Sequence, residues 1–373
     1  MADAGTRDAR GEWQPERLPR PSPLGRWPLE PAEILKFFFG QQGLLRWPNL
    51  VYLSLALVSW LFLTPSMERM RLFAFDWILL IYLRNVALLT LVAGGLHVRL
   101  YIKRAQGQKY KFSNRWLAKD DSKFLFKNQT LDNVFWSLAS GCVIWSGYEV
   151  VTLWAYANNL LPFVDFRTRP VYCVALMFGV VLFRHAHFYW THRFTHWRPL
   201  YKAAHYLHHK NINVGPWSGL SMHPIEHILY LSGIFIHWLI PSHPLHAIFH
   251  LVHAAISPAS GHSGFYKYVV AGDDETEEEK ALRAGGYFHY LHHRFFTVNF
   301  GNEEVPLDKQ VELIGKMARR HMSRFCLLQS GYFRPATFGH IGTPGVEGAP
   351  RGKIRQICHL ATQTYLLGRY ISV

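Results

Sequence analysis

Residues 171–183 read VYCVALMFGVVLF and run without a break into residues 184–210, RHAHFYWTHRFTHWRPLYKAAHYLHHK. An apolar helix thus passes directly into a segment crowded with histidine. His192 and His196 are spaced i, i+4, and His205, His208 and His209 are spaced i, i+3, i+4. On a helix both spacings set the imidazoles on one face about a turn apart, aimed at a common point. Residues 288–295 read FHYLHHRF, so His289, His292 and His293 repeat the HxxHH arrangement. With 22 histidines in 373 residues, that pattern arises by accident roughly 0.08 times per chain. Two copies point to function.

Outward from this stretch, the chain alternates apolar segments with basic ones. Residues 49–64 (NLVYLSLALVSWLFLT), 73–98 and 134–157 join 171–183 as candidate spans, against the ~20 apolar residues a bilayer demands. Arg84, Asn85 and Glu149 interrupt the second and third. Residues 185–190 extend the fourth as a helix. Trp and Tyr near the segment ends favour a membrane, where such rings settle at headgroup depth. Lys+Arg outnumber Asp+Glu by 40 to 25, a net +15, and basic residues recur from Arg7 to Arg46 and again between Arg99 and Lys127. Positive-inside then places the N-terminus, the 99–130 loop and everything beyond residue 184 in the cytosol. A nucleic-acid partner is excluded, because its bases would have to share one soluble face. The four cysteines lie far apart without a CxxC, which excludes a disulfide scaffold. The expected fold is all-α: a polytopic membrane helical bundle with a cytosolic-face helical cap that carries a histidine-rich dimetal site. Its parts are a disordered basic tail (1–31), membrane helices with a basic loop (32–130), a catalytic domain (131–309) and an atypical C-terminal tail (310–373).

Eight neutral imidazoles suit iron, zinc, copper or nickel. One zinc takes about four ligands, so eight indicate two metal ions. Two transition metals beside a membrane suggest redox chemistry on oxygen with an apolar substrate, and iron suits that better than zinc, although ligand type alone leaves both open.

The run from Phe188 to His196, then Leu200-Tyr201 and residues 205–209, resembles the fatty acid hydroxylase superfamily of sterol desaturases, methylsterol oxidases and sphingoid-base hydroxylases. Its HxxxH, HxxHH, HxxHH order is matched, as are His223-Pro224-Ile225-Glu226 and the Asn299-Phe300-Gly301 and Pro306-Leu307-Asp308-Lys309 pieces. The resemblance covers about residues 130–309. It implies an O2-dependent diiron enzyme in the endoplasmic reticulum membrane that hydroxylates or desaturates a sterol, fatty acyl chain or sphingoid base. Electrons would come from NAD(P)H through a carrier such as cytochrome b5 and its reductase. The implied iron ligands are His192, His196, His205, His208, His209, His289, His292 and His293. One or two more are expected from the middle region, where His253 and His262 are favoured over His223, His227 and His250. Glu226 either orients a ligand imidazole or is a helix N-terminal acid. His237, His243 and His246 read as the ends of an apolar hairpin turned by residues 241–244.

The acidic stretch 273–280 reads as a solvated insertion, and the acidic carrier is expected instead at the 99–130 loop with Arg193, Arg198 and Lys202. Beyond residue 309 the chain departs from the superfamily pattern. Two other functions share the histidines: a membrane metal-ion transporter and a catalytically inactive relative of the oxygenase. Transporter sites lie within the spans and usually include acids, whereas these boxes lie at and beyond the end of the last one.

Overall fold

The structure, a computed structural model, describes residues 5–16, 22–25, 28–40, 43–271, 280–302, 304–305 and 307–310. The acidic insertion (apart from Lys280) and the tail after residue 310 lie outside them. The described chain is mostly helical, with two small two-stranded sheets.

Among the described residues, three helices are long and apolar enough to cross a membrane: 75–102, 129–157 and 170–195. They are α3, α4 and α5, after the short α1 (Pro31–Phe39) and α2 (Trp47–Phe62). The expectation of four spans is corrected at α2, whose 16 residues rise only about 24 Å. π-helical turns at Thr90–Gly94 and Val98–Ile102 carry α3 past its apolar segment, and one at Ser137–Cys142 joins the two halves of α4. Asn128 starts α4, its side chain accepting from the backbone N–H groups of Thr130 and Leu131 at 3.0 and 3.1 Å.

The charges that interrupt two spans answer one another. Arg84 of α3 pairs with Glu149 of α4, and Asn85 donates to the same carboxylate at 3.0 Å and to Ser146 at 3.1 Å. A buried charge is tolerated beside lipid when it is paired in this way.

The cap follows α5. Residues 198–209 form the broken helix α6, with a π-turn at Tyr201–His205. Then come α7 (Pro224–Leu231), a 3-10 stretch to Trp238, and α8 (Pro244–Gly261), whose residues are almost all buried. The turn before α8 is held by Ser242, which meets Tyr156 at 2.6 Å and His237 at 3.0 Å. His243 accepts from the Leu245 N–H at 3.1 Å, and His246 Nε2 donates to the Cys173 carbonyl at 2.9 Å. These three histidines hold the hairpin, as the sequence suggests. The strands Lys267–Ala271 and Lys280–Arg283 lead into α9 (Tyr287–Phe295) and α10 (Leu307–Gln310).

The N-terminal tail, expected to be disordered, is in part folded. Gly5–Arg7 pairs antiparallel with Trp13–Pro15, and Trp13 is buried among Tyr110, Phe112, Tyr266 and Tyr287. Glu12 bonds Tyr290, which stands between two histidines of the third box. One tryptophan supplies enough apolar area to order a polar hairpin once partners from elsewhere surround it. The basic loop is also less free than expected. Lys111 is fully buried, its ammonium donating to the Ser113 and Arg115 carbonyls at 2.8 and 2.6 Å, and burial brings its pKa down to about 7.

Candidate metal centre

Box one ends α5, box two lies on α6 and box three on α9, while His262 stands at the C-terminal end of α8. Their ring nitrogens gather into two groups. His192, His196, His205, His209 and His292 form one; His208, His262, His289 and His293 form the other. Within each group the ligand atoms lie within 4.8 Å of one another.

Each HxxHH box therefore serves two centres, not the common point the spacing suggests. At 100° per residue, positions i+3 and i+4 fall about 60° to one side of i and about 40° to the other. His205 and His209 face the five-histidine group while His208 faces the four. Box three mirrors this, with His289 and His293 in the four-histidine group and His292 in the five. The two boxes cross-link the centres.

Hydrogen bonds on the outer nitrogens fix the rings. The Nδ1–H of His192 donates to Phe300 O at 2.7 Å, that of His208 to Ser221 O at 3.2 Å, that of His262 to Pro258 O at 3.0 Å and that of His292 to Val298 O at 2.6 Å. A carbonyl only accepts, so in these neutral rings each Nε2 carries a lone pair facing its group. His205 Nδ1 meets Glu226 Oε1 at 2.7 Å, which gives Glu226 the orienting role offered for it. Burial pushes the Glu226 carboxyl well up, and a cation in the five-histidine group would act against that. Burial likewise holds His205, His209, His262, His289, His292 and His293 well below the usual imidazole value, and His208 at about 4. All are neutral at pH 7 and ready to ligate.

Lone pairs forced together repel unless a cation stands between them. His196 Nε2 lies 3.0 Å from those of His205 and His292 and 3.1 Å from that of His209, and His292 lies 3.1 Å from His209. In the smaller group the His262–His293, His262–His289 and His289–His293 separations are 3.0, 3.1 and 3.2 Å. At a metal–nitrogen distance of ~2.1 Å, neighbouring ligands sit about 3.0 Å apart around an octahedron and about 3.4 Å around a tetrahedron. The rings fit a transition metal in each group, with edges nearer the octahedral value. His192 Nε2 is buried without a hydrogen-bond partner, as a ligand atom would be.

His253 is the exception among the expected ligands. It belongs to neither group, and its Nε2–H donates to Asn49 Oδ1 at 3.1 Å. Nine residues on one helix separate it from His262 by about 13 Å along the axis, so the two cannot reach one centre. His223, His227 and His250 also lie outside both groups.

Supports missed in the sequence come from distant segments. Asp308 accepts from the Phe300 and Gly301 N–H groups at 3.0 and 2.7 Å, fixing the carbonyl that holds His192. Lys210, next to box two, pairs with Asp132 of α4 at 2.7 Å. Gly286, at φ 81°, starts α9, and any Cβ there would collide with the Gly261 carbonyl. That contact seats box three against the end of α8, and only glycine permits it.

Residues 177–311, which contain all nine gathered histidines, match the family described as Fatty acid hydroxylase. That match covers about a third of the chain. Part of the chain is also similar to curated sterol desaturases. A Delta(7)-sterol 5(6)-desaturase of Eremothecium gossypii is 30% identical over 129 residues, 35% of this chain and 34% of that protein. The Saccharomyces cerevisiae Delta(7)-sterol 5(6)-desaturase is 27% identical over 132 residues, 35% and 34% of the two chains. A Delta(7)-sterol-C5(6)-desaturase of Nicotiana tabacum is 27% identical over 143 residues, 37% and 46%. The matches thus span a third to a half of those relatives' length. No solved structure matches the chain.

Proposed function

We propose that the protein is a membrane-bound, non-haem diiron oxygenase that hydroxylates or desaturates a lipid, with a sterol the favoured substrate. The carrying observation is the pair of buried all-histidine groups whose Nε2 atoms converge at 3.0–3.2 Å while carbonyls and Glu226 hold the outer nitrogens. Sterol desaturases among the relatives support the substrate class.

His192, His196, His205, His209 and His292 would hold one iron; His208, His262, His289 and His293 would hold the other. Bound iron would supply O2 activation and one-electron oxidation of an unactivated C–H bond. The chain supplies the rest. Its outer-nitrogen bonds keep the rings oriented between turnovers, and burial excludes water from the centres. The α5 helix carries box one at the end of an apolar span, so a lipid can approach from the membrane. Orientation of one carbon at reacting distance is the main catalytic service such a site gives. Arg198 and Lys202 are exposed beside boxes one and two and suit an acidic electron carrier such as cytochrome b5. The metal face is read as cytosolic and the membrane as endoplasmic reticulum.

Purified protein reconstituted with ferrous iron should hold two irons per chain and consume O2 only with an electron donor and a lipid substrate. Exchangeable zinc with no O2 uptake would favour a transporter instead. A glycosylation sequon inserted within residues 273–279 should remain unmodified in cells; modification would reverse the topology.

A further inference from the structure

One cavity of about 80 Å3 adjoins the four-histidine group: His208, His262 and His289 line it, and no ligand of the five-histidine group does. Its other side is unexpectedly polar for a lipid site. Arg46, Arg184, His185, His253 and Glu304 all line it. Arg46 Nε, Arg184 Nε, His185 Nε2 and His253 Nδ1 are buried without a hydrogen-bond partner. Each such atom is costly to bury unless something meets it, and orphaned buried atoms of this kind are rare enough to need a reason. Four residues that carry such an atom line one cavity, a complementary surface for a polar group.

The neighbours define what each atom offers. His185 Nδ1 faces Arg184 Nη1 at 3.3 Å and Asn302 Nδ2 at 3.1 Å. An arginine can only donate, so Nδ1 is the acceptor and the proton sits on Nε2. Asn49 Nδ2 donates to Leu44 O at 2.9 Å, which leaves Asn49 Oδ1 to accept from His253 Nε2–H. His253 Nδ1 is therefore a lone pair. Arg46 Nε and Arg184 Nε are donors in any state. His185 Nε2 lies 3.9 Å from Glu304 Oε2, too far to bond but close enough for one shared oxygen to bridge. Other polar groups on this wall are closed: Tyr230 accepts from Arg184 at 2.7 Å and donates to Ala254 O at 2.6 Å, and Tyr52 meets Ser260 at 2.7 Å.

We propose that this wall is a hydroxyl-recognition subsite: it takes a lipid alcohol whose oxygen accepts from arginine or His185 and whose hydrogen goes to His253 or Glu304. Donors and an acceptor together suit an alcohol. A carboxylate would meet Glu304, already paired with Arg46, and could not use the His253 lone pair. The size is informative as well. A whole lipid needs about 300 Å3 or more, so only its reacting end enters. In a space about 5 Å across, the hydroxyl and the carbon presented to the four-histidine wall are separated by two or three bonds. The subsite rests on the reading of that group as a metal centre, and it gives His253 a substrate-positioning role in place of ligation.

The test uses the iron-reconstituted full chain in lipid nanodiscs, with equilibrium binding measured for matched pairs: a Δ7-sterol and its 3-deoxy analogue, a sphingoid base and its 1-deoxy analogue, a long-chain alcohol and its alkane. Wild type should bind the alcohol of at least one pair about 10- to 100-fold more tightly than its partner. His253→Leu and His185→Phe should cut that ratio to below about threefold while iron stays at two per chain. If no pair discriminates in wild type, the cavity holds only water and the subsite is wrong. Discrimination that survives both substitutions also overturns it. Iron content is read separately, so a chain that binds no iron sinks the oxygenase reading without deciding the binding result.

Discussion

His262 and His253 lie on or at the end of one helix, and replacing each by alanine separates ligand from neighbour. In the proposed centre His262 is one of four ligands, its Nε2 at 3.0 and 3.1 Å from two others. Four-ligand transition-metal sites bind with about 10–16 kcal/mol, or about 2.5–4 kcal/mol per ligand. His262→Ala should therefore weaken metal binding at that centre by about 100- to 1,000-fold. His253 shares no ligand atom with either group, so His253→Ala should keep both metals and lose only its bond to Asn49 and its part in the cavity wall. Metal per chain after dialysis against graded chelator, read by mass spectrometry, distinguishes the two: about one retained ion for His262→Ala, two for His253→Ala. Loss of metal from His253→Ala equal to that from His262→Ala would refute the division of the site. So would full retention by both.

Further outcomes follow from other contacts. Glu226→Gln keeps the shape beside His205 but replaces a charge-assisted bond by a neutral one, so affinity at the five-histidine centre should fall by about 10- to 100-fold in the same chelator titration. Trp13→Ala empties an aromatic box reaching the third-box helix and should cost about 3 kcal/mol, seen as a lower Tm in detergent; an unchanged Tm would return the N-terminal hairpin to the status of a loose tail. Burial would raise Glu304, but Arg46 and then His185 hold it down at about 2 against 4.5 for a free carboxyl. Because the folded pKa is depressed, its contribution of about 3 kcal/mol is fully present above pH 4.5 and fades as pH falls toward 2. The Tm gap between wild type and Glu304→Gln should therefore be constant above pH 5 and close as pH falls below 4.5.

The sequence by itself marked the long apolar helices and the histidines of the proposed site. Hydrophobic length marked the spans, because a bilayer sets a minimum run of apolar residues regardless of partners. Helical spacing marked eight of the nine gathered histidines, because i, i+4 pairs share a face whatever they face. It also marked Glu226, two residues after Pro224 at a helix start. Tertiary structure alone decided how eight boxed histidines and His262 divide into five and four, since that depends on how α5, α6, α8 and α9 cross and not on spacing within any one of them. It decided against His253, which the sequence cannot distinguish from His262 because both are buried histidines on one apolar helix. It paired Arg84 with Glu149 across 65 positions, and it ordered Trp13 against rings from residues 110 to 287. Local periodicity records which way a side chain points along its own axis; what it meets there is fixed only when separate segments pack.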